Sequence, residues 1–287
     1  MTGMPRSGTT WLARLVATAP GTALTGREPM NARGRQFALA GTLDGWARLE
    51  SVTARQRRAL RRSFVGLEPR VYSRYGHRQW AAPLPWTRRV VKDPFAMLSV
   101  PTVARATGAR PLLIYRHPGA MLVSYRRMGW EPDLEEIRPI VQRFNAGVRA
   151  EERVAEPPAP GQTSAAEAMG RFWNVLYAIA LHDLRLQPDT VVLAHEEIAR
   201  GGLAPVERLF GALGLAVGAE TTSYLAGGED APRAGSGPDT GELHRFGRDP
   251  KQVADSWRGR LAPDEIAEIE DVTRHYAARM AEARTDL

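Results

Sequence analysis

The sequence predicts an α/β protein with a parallel central sheet flanked by helices, and three observations lead to that class. Short apolar runs alternate with longer segments of helical spacing, which is the pattern of parallel strands joined by crossover helices. A loop with regularly spaced glycines opens the chain and is followed at once by an amphipathic segment. The chain has 287 residues, 43% of them hydrophobic, which is enough for one large domain with a substantial core. We therefore expect residues 1–287 to form a single domain.

The composition limits the ligands, the chemistry and the cellular location that we expect for the protein. The formal charge of +7 favours anionic ligands, and nearly all the positive charge is arginine, because Lys92 and Lys251 are the only lysines. The chain has no cysteine, which excludes disulfides, thiolate catalysis and cysteine-bound metals. No segment approaches the roughly 20 apolar residues of a membrane span. No apolar signal-peptide region is visible at the start, so we expect a cytoplasmic protein.

The opening loop predicts an anion site. Gly3 and Gly8 have the spacing of a phosphate-binding loop, and a helix is expected over about residues 9–19, closed by Pro20-Gly21. A turn followed by a helix directs backbone N–H groups and the positive helix end at an anion. The lysine that usually follows the second glycine is replaced by Thr9-Thr10, and the nearby cation is Arg6. The loop is therefore expected to bind a phosphate other than that of ATP or GTP.

Two segments are expected to be excursions from the sheet. Residues 30–88 read as helical but irregular, and residues 129–166 are acidic and proline-rich and read as an excursion or lid. The first excursion contains the basic run 55–62, which indicates a solvated helix face or else a surface for an acidic substrate or a membrane. Residues 226–242 read as a mobile loop.

The remaining segments give the sheet and its helices. The predicted strands are 88–94, 111–115 and 190–194, and the predicted helices are about 120–128, 166–186, 203–213 and 263–283.

Four polar clusters lie in the opening loop or at expected strand ends, the second of them at a polar segment where a second strand would normally end. They are residues 5–11, 27–31, 92–94 and 115–118. Ligands of parallel sheets lie at the carboxyl ends of the strands. We therefore expect the four clusters to converge on one site.

These residues resemble a known family. Pro5-Arg6-Ser7-Gly8-Thr9-Thr10-Trp11 looks like the 5′-phosphosulfate loop of sulfotransferases that use 3′-phosphoadenosine 5′-phosphosulfate (PAPS). Arg116-His117-Pro118 with Ser124 is similar to the 3′-phosphate motif of that family, and Val91-Lys92-Asp93-Pro94-Phe95 resembles the Lys-Asp-Pro-Phe of its tyrosylprotein branch. The resemblance covers roughly residues 3–200 in outline and implies a P-loop, sulfotransferase-like architecture.

The resemblance implies how the donor is held. PAPS has two anionic ends and needs two anion sites; its product, adenosine 3′,5′-bisphosphate (PAP), keeps both phosphates, and no metal is required. Arg116 and Ser124 would hold the 3′-phosphate by charge-assisted bonds. Arg245 and Arg248 are similar in position to a basic loop of the family that touches the same phosphate, although they depart from the Arg-Lys-Gly triplet of its cytosolic branch. The residues expected at the phosphosulfate are Arg6, Ser7, Gly8, Thr9, Thr10 and Trp11.

The resemblance also implies a catalytic set. Arg6 and Lys92 would face the sulfuryl group and the bridging oxygen. The histidine of the cytosolic branch is absent, because Pro94 stands in its place. Glu28 matches the glutamate of the tyrosylprotein branch and is the expected general base, best served by a pKa raised through burial.

Other interpretations of these residues remain open at this point. Lys92 could form a structural salt bridge with Asp93, and Glu28 could pair with Arg27 or Arg33 at the surface. His117 and His195 are the alternative bases. Four tryptophans could stack on adenine or line the acceptor pocket, although core packing is expected for most of them; they are Trp80, Trp86, Trp130 and Trp173.

The expected activity is PAPS-dependent transfer of a sulfuryl group to the hydroxyl or amine of a small-molecule or carbohydrate acceptor. The main alternative is a P-loop kinase of small molecules, which needs a carboxylate for Mg²⁺, and Asp93 is the one candidate. A nucleic-acid binder is disfavoured, because acidic residues interleave with the basic ones and no recognition motif is present.

Overall fold

The computed structural model describes residues 1–159, 161–226 and 254–287. Its strands form two parallel pairs. Strand β1 (Thr22–Leu24) pairs with β2 (Arg88–Val90), in the register Thr22 to Arg88. Strand β3 (Leu112–Tyr115) pairs with β4 (Val191–Ala194), in the register Leu112 to Val191. The three strands predicted from the sequence are present, and β1 is an additional short one.

Residues 1 and 2 join the two pairs. The amine of Met1 donates to the carbonyl of Val91, and the N–H of Asp93 donates to the carbonyl of Met1, at 2.8 and 2.9 Å. On the other side, the N–H of Thr2 donates to Leu112 and the N–H of Ile114 donates to Thr2, at 2.8 and 2.9 Å. The spatial order is therefore β1, β2, the chain start, β3 and β4. The carboxyl ends of the strands share one edge, so the residues that follow them meet there.

Helices follow the strands on both sides of this sheet. None of the helices in the described ranges is long and apolar enough to cross a membrane. The helices are α1 (Thr9–Ala17), α2 (Ala54–Phe64), α3 (Val100–Thr107), α4 (Pro118–Arg127), α5 (Leu134–Gly147), α6 (Ala165–Leu186), α7 (His195–Gly201), α8 (Leu203–Leu213), α9 (Ala219–Leu225) and α10 (Pro263–Glu282).

Strands β3 and β4 bury both of their faces. Along β3, Leu113 packs into the cluster built around α6, whereas its neighbours Leu112 and Ile114 pack with α1 and α8. Along β4, Val192 lies on the first side, and its neighbours lie on the second. Alternation of side chains along a strand places them on opposite faces. The apolar runs are therefore the signature of a sheet covered by helices on each face.

Helix α5 lies within the segment that was expected to be an excursion or lid. Its residues Ile137, Ile140, Val141 and Phe144 recur at helical spacing and are buried in the same cluster as α6. Pro139 within the helix removes one backbone donor, and this proline disguised the helical pattern. Part of the segment is therefore built into the core. Closure of residues 129–166 over the site, and the assignment of the whole chain to one domain, stay predictions.

Residues 30–88 are less helical than expected, with α2 as their one α-helix and two short 3₁₀ turns. A capping box begins α2, in which Thr53 and Gln56 exchange hydrogen bonds. The expectation that most of the four tryptophans pack in the core is wrong. Trp80, Trp86 and Trp130 are 75%, 74% and 41% exposed, and Trp173 is the one that is buried.

Candidate functional site

The loop before α1 is shaped for close approach of an anion. Gly3, Arg6 and Gly8 all have positive φ angles, of 150°, 76° and 97°. The N–H of Ser7 closes a turn on the carbonyl of Met4 at 3.0 Å. The N–H groups in the first turn of a helix have no partner within the helix, so those at the start of α1 are directed at whatever lies in front of the loop. Arg6 is notable because a non-glycine residue rarely adopts this conformation, and such strain is concentrated at functional sites.

Neighbouring elements crowd the two glycines of the loop. A Cβ on Gly3 would lie 2.2 Å from the carbonyl oxygen of Ile114, and a Cβ on Gly8 would lie 2.3 Å from Cδ2 of His195. Close packing is therefore a second reason, besides the positive φ angles, why residues 3 and 8 are glycines. The loop lies directly against the ends of β3 and β4.

Arg6 connects the loop to α4. Its Nε donates to the hydroxyl of Ser124 at 2.8 Å, and Nη1 of Arg116 donates to the carbonyl of Arg6 at 3.4 Å. The sequence predicted Arg6 at one anion site and Arg116 with Ser124 at another. The structure brings all three into one cluster, in which Arg6 and Ser124 are in direct contact.

This cluster is electropositive and largely buried. Burial lowers the pKa of Arg6, and the charges of Arg127 and Arg116 lower it further. Burial likewise lowers the pKa of Arg116, while the carboxylate of Glu196 acts in the opposite direction. The carbonyl of Arg116 also accepts from the indole Nε1 of Trp173 at 3.0 Å. Guanidinium groups that repel one another favour an anion between them.

Glu28 and Lys92 form an ion pair at the carboxyl ends of β1 and β2. Nζ of Lys92 donates to Oε1 of Glu28, and Nδ2 of Asn31 donates to Oε2 at 2.5 Å. The alternative pairings considered from the sequence are wrong. Lys92 pairs with Glu28 instead of Asp93, and Glu28 pairs with neither nearby arginine: Arg27 bonds to Gln36, and Arg33 to Glu136.

Asp93 holds the two segments of this pair together. Its carboxylate is buried and accepts from the N–H of Met30 at 2.6 Å and from the N–H of Phe95 at 3.0 Å. Burial raises the pKa of Asp93 to about 7, and the charge of Glu28 adds to the shift. Asp93 therefore sets the position of Glu28 relative to Lys92. Because both of its oxygens already accept backbone hydrogen bonds, it is poorly placed to hold a metal ion.

A cavity of about 630 Å³ opens beside the ion pair, a size typical of small-molecule sites. Its wall includes Thr10 of the loop as well as Glu28 and Lys92. The charge of the remaining wall is basic, because Glu28 is its one carboxylate. The other polar side chains of the wall are Thr25, Arg27, Asn31, Arg35, Gln36, Ser73, Arg74 and Tyr75.

The two alternative bases lie away from this cavity wall. His117 caps α4 by accepting from the N–H of Gly119, and its ring stacks on Trp257 at 4.3 Å. Burial, together with Arg258 and Arg116, lowers the pKa of His117 to about 4. His195 is buried against Gly8 and Trp11, and burial lowers its pKa well below the usual range. Both rings have structural positions, whereas Glu28 lines the cavity. The role of Glu28 as general base stays a prediction.

The structure places the other predicted loop residues as follows. Ser7 is fully buried near the hydroxyl of Tyr177, Thr9 is buried in the first turn of α1, and Trp11 packs on His195. Arg245 and Arg248 lie outside the described residues, as does most of the predicted loop 226–242. Sequence reasoning missed the roles of Asn31 and Asp93, although both belong to polar clusters that it had singled out.

Arg127 and Glu196 were also missed. Arg127 contributes to the positive field at Arg6, and Glu196 accepts from the N–H of His117 at 2.9 Å. Nothing in the motifs marks either residue. Their proximity to the site follows only from the packing of α4 against the end of β4.

No protein-family model matches the chain, and no curated protein matches it. Among solved structures, the fold is similar to that of the sulfotransferase domain from the curacin biosynthetic pathway, with a TM-score of 0.50 over 94% of each chain. The chain has a sulfotransferase-like fold. The two sequences are 16% identical, so this likeness concerns the fold alone and favours no branch of the sulfotransferases.

Proposed function

We propose that the protein is a sulfotransferase that moves a sulfuryl group from PAPS to an acceptor hydroxyl. One observation carries the proposal. The loop before α1 and the cluster of Arg6, Arg116 and Ser124 lie at the same sheet edge as the pair formed by Glu28 and Lys92. An anion site and an acid–base pair are the two things that sulfuryl transfer requires. The similar fold of a known sulfotransferase domain supports the assignment.

The donor is held at both of its anionic ends. The first-turn N–H groups of α1 and the hydroxyls of Thr9 and Thr10 receive the 5′-phosphosulfate. Arg116 and Ser124 receive the 3′-phosphate. Arg6, which contacts Ser124 in the unliganded chain, is free to exchange that neutral partner for a donor oxygen. We assign Ser7, Gly8 and Trp11 to shaping the loop.

Glu28 and Lys92 act on the two oxygens between which the sulfuryl group moves. Glu28 accepts the proton of the acceptor hydroxyl as the new S–O bond forms. The bond from sulfur to the bridging oxygen breaks, and the electron pair stays on the 5′-phosphate of PAP. Lys92 and Arg6 stabilise the charge that develops on the bridging oxygen and the sulfuryl group. The direct contact of Lys92 with Glu28 holds the carboxylate in position until an acceptor enters between them.

The acceptor occupies the cavity that these residues line. Its volume suits a small molecule or a short carbohydrate. The wall is polar and carries several arginines, which supports an acceptor with hydroxyl groups more than a purely apolar one. A cytoplasmic location, and an acceptor that is neither nucleic acid nor a membrane-spanning partner, belong to the same proposal.

No observation favours the alternative of a small-molecule kinase. A kinase needs a carboxylate for Mg²⁺, and the candidate Asp93 already accepts from two backbone N–H groups. The loop also lacks the lysine that reaches the β- and γ-phosphates of ATP. The two functions are separable by ligand binding in the presence and absence of Mg²⁺.

The proposed function is tested by a ligand-binding experiment and by a sulfuryl-transfer experiment. PAP without metal should raise the melting temperature more than ADP with Mg²⁺ does, and the reverse order would sink the proposal. Incubation with PAPS and a panel of small-molecule and carbohydrate alcohols should give one product whose mass increases by a sulfuryl group. The Glu28→Gln protein serves as the negative control for transfer, because it should still bind PAP.

A further inference from the structure

A patch of large apolar side chains lies on the surface between α2 and β2. It consists of Val65, Leu67, Trp80, Leu84 and Trp86, whose exposed fractions run from 38% to 75%. Three others are exposed elsewhere in the described ranges, at positions well separated along the chain: Trp130, Leu186 and Leu203. Single exposed apolar residues need no explanation, whereas a contiguous patch marks an interaction surface.

The five residues of the apolar patch are held together by contacts within it. The chain at Gly66 lies against Ala82 and Pro83, because a Cβ on Gly66 would fall 2.7 Å from the backbone of Ala82. The ring of Tyr72 packs edge-on against Trp80 at 4.9 Å, and its hydroxyl donates to the carbonyl of Gly66 at 2.5 Å. A turn from Leu84 to Thr87 then places Trp86 beside Leu84. The patch is therefore one surface built from two segments of the chain.

The charge of the segment that carries the patch is almost entirely positive. Residues 54–89 contain ten arginines, and Glu68 is their one acidic residue. Glu68 is buried and neutralised locally by Arg62 and Arg70, and its hydrogen bond to Arg70 lowers its pKa. Glu220, from α9, forms an ion pair with Arg78. The surface that borders the patch is therefore strongly positive.

A basic hollow adjoins the patch. It has a volume of about 600 Å³ and is lined by Arg55, Arg58, Arg62 and Arg70 around Glu68. Arg62 also donates from Nη2 to the carbonyl of Leu67 at 2.8 Å, so the hollow and the patch share an edge. The combination places guanidinium groups at the edge of the apolar patch.

We propose that this surface docks the protein on an anionic phospholipid bilayer. Tryptophan is enriched at the interface of a bilayer, where its ring lies at headgroup depth. Basic residues near such a ring are attracted to anionic lipid headgroups. The two tryptophans project into solvent with three quarters of their surface exposed, instead of lining a groove that would receive a peptide. Their exposure and the almost entirely positive charge together favour a bilayer over an acidic protein.

Docking would bring the candidate acceptor site close to the lipid surface. Tyr72 belongs to the packing of the patch, and the next residues, Ser73 to Tyr75, line the cavity that contains Glu28 and Lys92. The apolar patch therefore adjoins the wall of this cavity. The docking proposal itself does not depend on the proposed chemistry, because membrane binding needs neither donor nor acceptor.

The test is co-sedimentation with vesicles of phosphatidylcholine, with and without phosphatidylserine. The full-length protein should bind only the vesicles that contain phosphatidylserine, and binding should weaken as salt is raised. Trp80→Ala/Trp86→Ala should weaken the partition coefficient at least about tenfold, because two large apolar side chains are removed from the interface. Arg55→Gln/Arg58→Gln, in the basic hollow, should also weaken it at least about tenfold.

Matched controls separate the surface from the overall charge of the protein. Arg208→Gln/Arg274→Gln removes the same charge from α8 and α10 and should change binding less than twofold. Trp80→Phe/Trp86→Phe should keep most of the binding but should lose the quenching of tryptophan fluorescence by brominated phosphatidylcholine included in the vesicles. The melting temperature of each variant checks that it is folded.

Four results would overturn the proposal. The first is no binding to anionic vesicles. The second is equal binding to neutral and anionic vesicles. The third is binding to soluble poly-glutamate without binding to vesicles, which would assign the surface to an acidic protein partner. Equal loss of binding in the α8/α10 control would likewise show that net charge, and not this surface, drives the association.

Discussion

Nε of Arg6 donates to the hydroxyl of Ser124 at 2.8 Å, across 118 residues of sequence. The contact joins the loop before α1 to the helix that follows β3. It also gives the strained backbone of Arg6 a fixed side-chain direction. The residues proposed to bind the two anionic ends of PAPS are therefore in direct contact with each other.

Ser124→Ala should weaken PAP binding about tenfold, because a charge-assisted hydrogen bond of this kind contributes about 1.5 kcal/mol. Isothermal titration calorimetry gives the Kd directly. Ser223→Ala, on helix α9, is the matched control and should bind as the parent protein does. Unchanged affinity in Ser124→Ala would mean that this hydroxyl does not contact the donor.

Glu28→Gln should lower kcat by about 10²- to 10⁴-fold, which is the usual contribution of a general base. The PAP-induced rise in melting temperature should be retained, because Glu28 lines the cavity and is not part of the cluster of Arg6, Arg116 and Ser124. Arg116→Lys should show the opposite division, with PAP affinity reduced more than kcat, since lysine lacks the forked donor. Full turnover in Glu28→Gln on a true acceptor would assign the base elsewhere.

Gly8→Ala should destabilise the protein by about 2–3 kcal/mol, because its φ of 97° suits glycine and its added Cβ would meet the ring of His195 at 2.3 Å. Chemical denaturation measures the free energy of unfolding. Gly129→Ala is the control, since its φ is also positive but nothing lies within 4 Å of the new Cβ. Its expected cost is about 1 kcal/mol.

The double variant Gly8→Ala/His195→Ala separates the two causes. Removal of the ring relieves the collision but leaves the backbone strain. The substitutions should therefore be non-additive, with the double variant less destabilised than the sum of the single ones. Strict additivity would contradict the contact between the loop and His195.

His117→Asn should reduce the loss of stability on acidification. The pKa of His117 is lowered from 6.5 to about 4 in the folded protein, so the unfolded chain binds the proton more tightly. This residue therefore contributes stability above about pH 6.5 that is lost as the pH falls toward 4. The shift corresponds to at most about 3 kcal/mol.

Urea unfolding at pH 7 and pH 5 measures the difference. Asparagine has an oxygen that can accept from the N–H of Gly119, so the cap of α4 is preserved. The substitution removes only the ionisable imidazole. The other ionisable groups are common to both proteins and cancel in the comparison. Identical pH dependence of the parent and the variant would contradict the lowered pKa, which NMR of the His117 ring protons reports independently.

Much of the fold was predictable, because its elements carry local signals. Helix α8 was predicted over 203–213 and is found at those residues, where Gly214 ends it in the left-handed conformation. The strand expected over 111–115 is found as Leu112–Tyr115. Helix α5 was hidden, because Pro139 and the acidic residues of its first turn resemble a loop. Periodicity is a weaker guide where a proline interrupts it.

Only those residues of the candidate site that belong to sequence motifs could be predicted. The convergence of the strand-end clusters follows from the geometry of parallel sheets, and Glu28 and Lys92 do meet. The partners of Asp93 could not be predicted, because the N–H of Met30 lies 63 residues away and nothing in the sequence links them. The exposure of Trp80 was likewise hidden, since an aromatic residue in an irregular segment indicates burial on average.

The carboxylate of Asp93 accepts hydrogen bonds from both sides of the site, and this has a consequence for engineering. The segment that carries Glu28 cannot shift without displacing the segment that carries Lys92. Substitutions near Asn31 that aim to admit a new acceptor should therefore alter turnover together with selectivity. Ser73 and Tyr75 also line the cavity but do not contact that carboxylate. We expect substitutions there to change acceptor choice while Glu28 and Lys92 stay in place.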